Sequence, residues 1–312
     1  MARPGVVLAL DIGGTTIKGS IFADGREVAG GHTAPTFSVS SRALDTVLAV
    51  LAKLAETARG LGLQPTAIGV GVPGLVDARR GVVVYAANLQ WAHLPLAQLL
   101  ETRFALPVSI DHDARAAARA EMALRSGAGD FVFVPIGTGI SAAVVLGGQI
   151  IGGARGQAGE LGHIPVVPGG EACPCGQFGC LEAYASGKGI RARYLAAGGR
   201  RARNAAEVAG LLGMDPVADR VWSDAVGALS TAVTTLTALL DPTDVILGGG
   251  LSAAGPLLLG PLRATVDDML GWREPPTLAL SRAGPRAGLL GAALLGAASG
   301  NPPELNPSTG AQ

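Results

Sequence analysis

The sequence predicts an α/β fold of two lobes sharing one topology, and three observations carry that expectation. First, Val6 to Gly30 and Phe131 to Gly152 follow the same plan of strand, Gly/Thr turn, return strand, glycine-containing turn and third strand. Second, short apolar β-branched runs alternate with segments whose apolar residues recur at helical spacing. Third, 48% of the 312 residues are hydrophobic and 15% charged, enough apolar material for one large domain or two lobes with cores of their own. That composition excludes a disordered or fibrous chain.

The elements follow in order. Val6 to Leu10 reads as a buried strand ending in Asp11, Gly13-Gly14-Thr15-Thr16 as a tight turn, and Ile17 to Phe22 as the return strand. Asp24-Gly25 turns the chain into a third strand near Glu27 to Gly30. Ala43 to Gly60 is helical, with Gly60 as its stop, and Ile68 to Val72 is a strand closed by Pro73-Gly74. Leu94 to Phe104 reads as a helix, Val108 to Ile110 as a strand, and Ala114 to Arg125 as a helix leaving Asp111-His112-Asp113. In the second half come strands over Phe131 to Ile136, Ser141 to Leu146 and Gln149 to Gly152, and a helix over about Val217 to Leu240. A strand over Val245 to Leu247 then leads into Gly248-Gly249-Gly250, followed by a strand near Thr277 to Leu280, a helix over Gly288 to Ser299, and a frayed tail over Asn301 to Gln312. The lobes are expected at 1–112, joined by the helix near 288–300, and at 113–287.

Formal net charge is zero, 24 basic against 24 acidic residues, which gives no electrostatic case for nucleic acid or an anionic membrane as partner. All but three of the basic residues (Lys18, Lys53, Lys188) are arginine, a compositional bias, so scattered arginines are not read as phosphate ligands and Lys18 is assigned no role. Phe131 to Ala154 lacks charge over a membrane-spanning length, yet its Pro135, Gly137, Gly139 and Gly147-Gly148 read as strands and turns. Met1 to Gly5 is too short for a signal peptide ahead of the first strand, and a cytoplasmic protein is expected.

Turns of Gly and Thr expose backbone N–H groups with no side-chain wall, as a close approach to phosphate requires. Three are present: Gly13 to Thr16, Gly137-Thr138-Gly139 and Gly248 to Gly250. None has P-loop or dinucleotide spacing, and each alone also fits an ordinary hairpin. Together they point to a nucleotide held in a cleft between lobes.

These turns sit within a longer pattern. Asp11-Ile12-Gly13-Gly14-Thr15-Thr16-Ile17-Lys18-Gly19 is followed by Gly69-Val70-Gly71-Val72-Pro73-Gly74-Leu75-Val76-Asp77 and Asn88-Leu89-Gln90-Trp91. Then come Gly137-Thr138-Gly139, Gly156-Gln157-Ala158-Gly159-Glu160-Leu161-Gly162-His163 and Cys173-Pro174-Cys175-Gly176-Gln177-Phe178-Gly179-Cys180-Leu181-Glu182. The series resembles the ROK family (repressors, open reading frames, kinases) over about residues 6 to 300. The resemblance implies an actin-like, ribonuclease-H-like fold binding a sugar and Mg-ATP in a central cleft. It also implies a homodimer or higher homo-oligomer, and nucleotide contacts from Asp11, Gly13, Gly14, Thr15, Thr16, Gly137, Thr138, Gly139, Gly249 and Gly250. Asp11 would meet Mg²⁺, although a strand-end cap is its plainer role.

The three cysteines, Cys173, Cys175 and Cys180, fall within eight residues. Odd in number and crowded, they argue against a disulfide framework. With His163 they offer the Cys₃His set of a closed structural zinc site, which leaves no open position for catalytic water. The metal would hold the loop 163–182 and, with it, Glu160, His163 and Glu182.

Asp113, at the end of a strand and the opening of a helix, is the candidate general base for a sugar hydroxyl attacking the γ-phosphate. A helix N-cap at Asp113 or Asp111 is the alternative, and spacing weighs the two evenly. The family resemblance favours catalysis, because the family carries its base in an Asn-Asp-Ala segment; here His112 replaces the Asn. Gly71, Asn88, Asp113, Glu160, His163 and Glu182 match the family's sugar-binding positions. The Glu160-x-x-His163 pairing is similar to that of its glucokinase and N-acetylmannosamine kinase branches. The expectation is transfer of the ATP γ-phosphoryl to the 6-hydroxyl of glucose. The alternatives are N-acetylmannosamine, an aminoglucose or a cyclitol as acceptor, or a sugar-sensing regulator, for which no helix-turn-helix is expected in the few residues before Asp11.

Overall fold

The computed structural model describes residues 5–37, 39–125, 129–200 and 202–300. The expected tail over Asn301 to Gln312 lies outside them. The chain forms two compact units, one from the described residues of Met1–Arg119 and Gly288–Gln312, the other Ala120–Ala287.

The first unit opens with β1 (Val6–Ile12), β2 (Thr16–Ala23) and β3 (Arg26–Pro35), then α1 (Ser40–Gly60) and β4 (Ala67–Val72). A small antiparallel sheet of β5 (Leu75–Asp77), β6 (Val82–Ala86) and β7 (Trp91–Leu94) precedes α2 (Leu96–Phe104) and β8 (Val108–His112). The main sheet has the order β3-β2-β1-β4-β8, with β1, β4 and β8 parallel and β2 and β3 antiparallel additions. β1 is covered on both faces, so it reads as a continuous apolar run. Val6, Leu8, Leu10 and Ile12 pack with Val47, Leu51 and Leu54 of α1, while Ala9 packs with Leu289, Ala292 and Ala293 of the C-terminal helix. That helix approaches so closely that a Cβ on Gly69 would lie 1.9 Å from the Ala292 carbonyl oxygen.

α3 (Asp113–Leu124) crosses the border between units, which falls after Arg119. The sequence reading set it at 112/113. The first turns of α3 stay with the first unit because Arg115 and Arg119 both pair with Asp111.

The second unit repeats the first sheet. β9 (Phe131–Pro135), β10 (Ala143–Leu146) and β11 (Gln149–Ile150) are joined, after α4 (Leu181–Ala185), α5 (Gly187–Ala196), α6 (Ala205–Ala209) and α7 (Pro216–Leu240), by β12 (Asp244–Gly248). α8 (Pro256–Met269), β13 (Thr277–Leu280) and α9 (Ala287–Gly300) complete the chain. The order β11-β10-β9-β12-β13, with β9, β12 and β13 parallel and β10 and β11 antiparallel, matches that of the first unit strand for strand. Val132, Val134, Val245 and Leu247 pack with Val221, Ala225, Leu229 and Val233 of α7 and Leu262 and Val266 of α8.

α7 is the one helix among the described residues long and apolar enough to cross a bilayer by length and composition. Its buried residues line the core of the second unit. The uncharged stretch from Phe131 is β9, β10 and β11, as the glycines and proline indicate.

The structure departs from the sequence reading locally. β3 runs on to Pro35, and the helix expected from Leu94 starts at Leu96, because Leu94 ends β7. The β5–β6–β7 sheet and α4, α5, α6 and α8 were not expected. α8 carries Pro261 within it, which cannot donate to the Leu257 carbonyl; the Trp222 indole N–H donates to that oxygen instead, at 3.0 Å.

Candidate active site

In the first unit the strand register sets the site. Asp11 on β1 stands beside Gly71 on β4, and Gly71 beside Asp111 on β8, so the carboxyl ends of three parallel strands are level. Gly71 leaves room there: a Cβ would lie 3.5 Å from Asp113 Cα and 3.7 Å from Asp11 Oδ1. Asp11, Gly71 and Asp113 are therefore brought together. Burial, then the Asp113 charge, pushes the Asp11 carboxyl up from 3.8 to about 6, against the opposing pull of Lys18. Lys18 had been assigned no role; its charge acts on this carboxylate.

Asp111 is not a helix cap. Buried, it accepts from the His112 N–H at 2.8 Å and Arg115 Nε at 2.7 Å through Oδ1, and from an Arg119 guanidinium nitrogen at 3.2 Å through Oδ2. These three partners anchor the start of α3. The Ala114 N–H donates to His112 Nδ1 at 3.2 Å and to Asp113 Oδ1 at 2.6 Å. Asp113 keeps about a third of its side chain exposed, so its carboxylate can reach a ligand while its backbone is held.

The Gly13 to Thr16 turn is closed by Gly13 N–H donating to the Thr16 carbonyl at 3.0 Å, and is braced by Thr36, whose hydroxyl donates to the Gly13 carbonyl at 2.8 Å. Gly14 and Thr15 are exposed at its tip. Asn88 is exposed on a 3₁₀ turn between β6 and β7. Sequence reasoning missed Gly288, the second residue of α9: a Cβ there would lie 2.5 Å from the Asp11 carboxylate.

In the second unit two of the glycine turns meet. Ile136 N–H donates to the Gly248 carbonyl at 2.9 Å, Leu251 N–H donates to the Ile136 carbonyl at 3.0 Å, and a Cβ on Gly249, at φ 74°, would lie 2.4 Å from that Ile136 oxygen. Gly137 and Gly250 face open space, leaving their backbone approachable. Glu182 lies against the first turn, accepting the Ile140 N–H at 2.9 Å through Oε2.

His163, Cys173, Cys175 and Cys180 converge, their ligand atoms all within 4.8 Å of one another. Cys175 Sγ lies 3.7 Å from Cys180 Sγ, and Cys173 Sγ 3.8 Å from His163 Nδ1. Those separations are far too long for a disulfide (S–S about 2.05 Å). They match the edge of a tetrahedron with ligand bonds of about 2.3 Å, so the residues present fit a zinc ion. Burial, then the Cys175 and Cys173 thiols, pushes Cys180 up to about 12, a cost that a bound dication removes by taking the thiolate. Glu160 Oε2 stands 4.0 Å from His163 Nε2, on the ring edge away from Cys173.

The ROK family profile matches residues 7–298. The chain is 32% identical to a glucokinase of Streptomyces coelicolor, over 93% of this chain and 96% of that protein. It is 33% identical to an N-acetylmannosamine kinase of Salmonella typhi, over 92% of this chain and 97% of the other. Among solved structures, a ROK family glucokinase from Streptomyces griseus in complex with glucose and AMPPNP superposes with a TM-score of 0.81 at 32% identity, covering 94% of this chain and 99% of that one. The fold is thus the two-lobed actin-like ATPase fold of these kinases, and the chain belongs to the ROK family.

Proposed function

We propose that this chain is an ATP-dependent hexose kinase that transfers the γ-phosphoryl group to the 6-hydroxyl of glucose. The observation that carries the reading is the approach of Asp11 and Asp113 to each other beside Gly71, one carboxylate raised by burial and the other partly exposed. Asp113 takes the proton from the attacking hydroxyl as the O–P bond forms and the bond to the ADP oxygen breaks. Asp11 would hold Mg²⁺ through water, and the metal would neutralise charge on the phosphate oxygens. The turns formed by Gly13, Gly14, Thr15 and Thr16, by Gly137, Thr138 and Gly139, and by Gly249 and Gly250 receive the donor phosphates. Gly71, Asn88, Glu160, His163 and Glu182 serve the sugar. His163, Cys173, Cys175 and Cys180 hold a structural zinc that fixes the 163–182 loop. Glucokinase relatives over nearly the whole chain support glucose as acceptor. A cytoplasmic homodimer or higher homo-oligomer goes with the same reading.

The likeness to an N-acetylmannosamine kinase at 33% identity over 92% of the chain favours a second acceptor class. An amino sugar such as N-acetylmannosamine or an aminoglucose, or a cyclitol, stands as the alternative. An ADP-coupled assay over hexoses, amino sugars and cyclitols tests both readings. Glucose is expected to give the highest kcat/KM. An amino sugar or cyclitol ahead of it moves the assignment, and ADP release with none of them overturns the kinase.

A further inference from the structure

Glu182 has more to do than meet a sugar. Its Oε2 accepts the Ile140 N–H at 2.9 Å and would lie 2.5 Å from a Cβ on Gly139, so this carboxylate lies directly against the end of the Gly137-Thr138-Gly139 turn. The other end of the turn is tied to the same short stretch of chain, Gly187 N–H donating to the Gly137 carbonyl at 2.8 Å. Glu182 stands in the first turn of α4, and Cys180, the residue before that helix, is one of the four clustered metal-type ligands. Leu181 N–H donates to the Ile164 carbonyl at 3.0 Å, next to His163, so both flanks of the cluster are joined where Glu182 begins.

We propose that Glu182 is a positioning residue for the phosphoryl donor, holding the Gly137-Thr138-Gly139 turn in its phosphate-receiving form through the Ile140 amide. The inference rests on the kinase reading and adds a nucleotide role to a residue assigned there to the sugar. The turn is closed on itself by Gly137 N–H donating to the Gly139 carbonyl at 2.9 Å, and its two glycines add no side chain to that bond. Glu182, at the Ile140 amide, and Gly187, at the Gly137 carbonyl, add a tie at each end. Only one carboxylate oxygen is used, and Oε1 stays available to a sugar hydroxyl. A single side chain then touches acceptor and donor elements at once, which makes sugar and nucleotide binding mutually supportive. The cluster of His163 and three cysteines anchors the base of that side chain through Cys180.

The test is ADP affinity by calorimetry without sugar, together with amide hydrogen exchange at Ile140, on the whole chain. Glu182→Ala is expected to weaken ADP binding about tenfold, the effect of leaving one amide unpaired, and to speed exchange at Ile140. Glu182→Gln, whose side-chain oxygen can still accept that N–H, is expected to bring ADP affinity back to within about twofold and to restore slow exchange. Unchanged ADP affinity in Glu182→Ala, or unchanged exchange at Ile140, overturns the proposal. If the wild-type chain binds no ADP, the kinase reading fails, and exchange at Ile140 still decides whether Glu182 holds the turn.

Discussion

His112 Nδ1 lies 3.2 Å from Asp113 Oδ1 while accepting the Ala114 N–H at 3.2 Å. An imidazole that accepts at Nδ1 carries its proton on Nε2. The ring nitrogen thus ties down the amide that follows the proposed base. His112→Asn, whose side-chain oxygen can accept the same N–H, is expected to keep kcat within a few-fold of wild type, whereas His112→Ala, which removes that acceptor, is expected to lower it about tenfold. Equal kcat in His112→Ala and the wild type would remove His112 from the positioning of Asp113.

Asp113 itself gives the plainest outcome. Asp113→Asn keeps the size and the Ala114 contact but cannot accept the hydroxyl proton. A general base contributes about 10²- to 10⁴-fold, and kcat is expected to fall by that much while the circular dichroism spectrum stays unchanged. Turnover within a few-fold of wild type would disqualify it as the base.

Asp11 can be tested without any substrate. A carboxyl raised from 3.8 to about 6 binds its proton more tightly in the folded chain than in the unfolded one. Its contribution to stability is complete below about pH 3.8 and is lost as pH climbs through about 6. Asn, neutral throughout, escapes that loss. In the absence of Mg²⁺, Asp11→Asn is expected to be more stable than wild type by about 2–3 kcal/mol at pH 7.5 and to converge with it near pH 4, as read by urea unfolding at the two pH values. A stability difference that does not change between them would mean that Asp11 is not strained by burial.

These residues were not equally visible in the sequence. The duplicated strands and glycine turns were legible because alternation and turn chemistry are local, and so was the Cys₃His set, three of whose members fall within eight residues. The β5–β6–β7 sheet was not, because two non-glycine residues adopt the left-handed region there, Gln90 at φ 53° just before β7 and His93 at φ 50° within it, where no turn signal marks them. α8 was hidden by Pro261, whose missing bond Trp222 supplies from 35 residues away in sequence. Asp111 was weighed as a cap, and its pairing with Arg115 escaped because arginine had been set aside as compositional bias. Glu182 and Ile140 are 42 positions apart, and nothing local announces their bond.

Gly69 shows how closely α9 is fitted to β4. An added Cβ would meet the Ala292 carbonyl oxygen at 1.9 Å and the Gly296 nitrogen at 2.7 Å, both backbone atoms that no side-chain rotation can move. Gly69→Ala is expected to cost about 3 kcal/mol or more, the upper range for forced overpacking. Gly71→Ala, whose nearest neighbour would be at an ordinary 3.5 Å, is expected to fold with a near-normal melting temperature. Comparable melting temperatures for the two variants would count against the packing of α9 on this strand.

The metal site yields a last outcome through its protons. Without a cation, Cys180 holds its proton up to about 12, because burial and then the neighbouring Cys175 and Cys173 thiols oppose a thiolate there. Binding a zinc ion at neutral pH must therefore displace protons from the cysteines, so its uptake weakens as pH falls. The isolated protein is expected to carry about one zinc per chain by elemental analysis, to release it more readily to a chelator at pH 6 than at pH 8, and to melt at a lower temperature afterwards. If the zinc also organises the proposed sugar ligands, glucose affinity falls with it, since Glu160, His163 and Glu182 all lie on or beside the loop that the ion fixes. Complete zinc loss with glucose affinity intact would leave the cluster a stabilising clip and detach it from substrate binding.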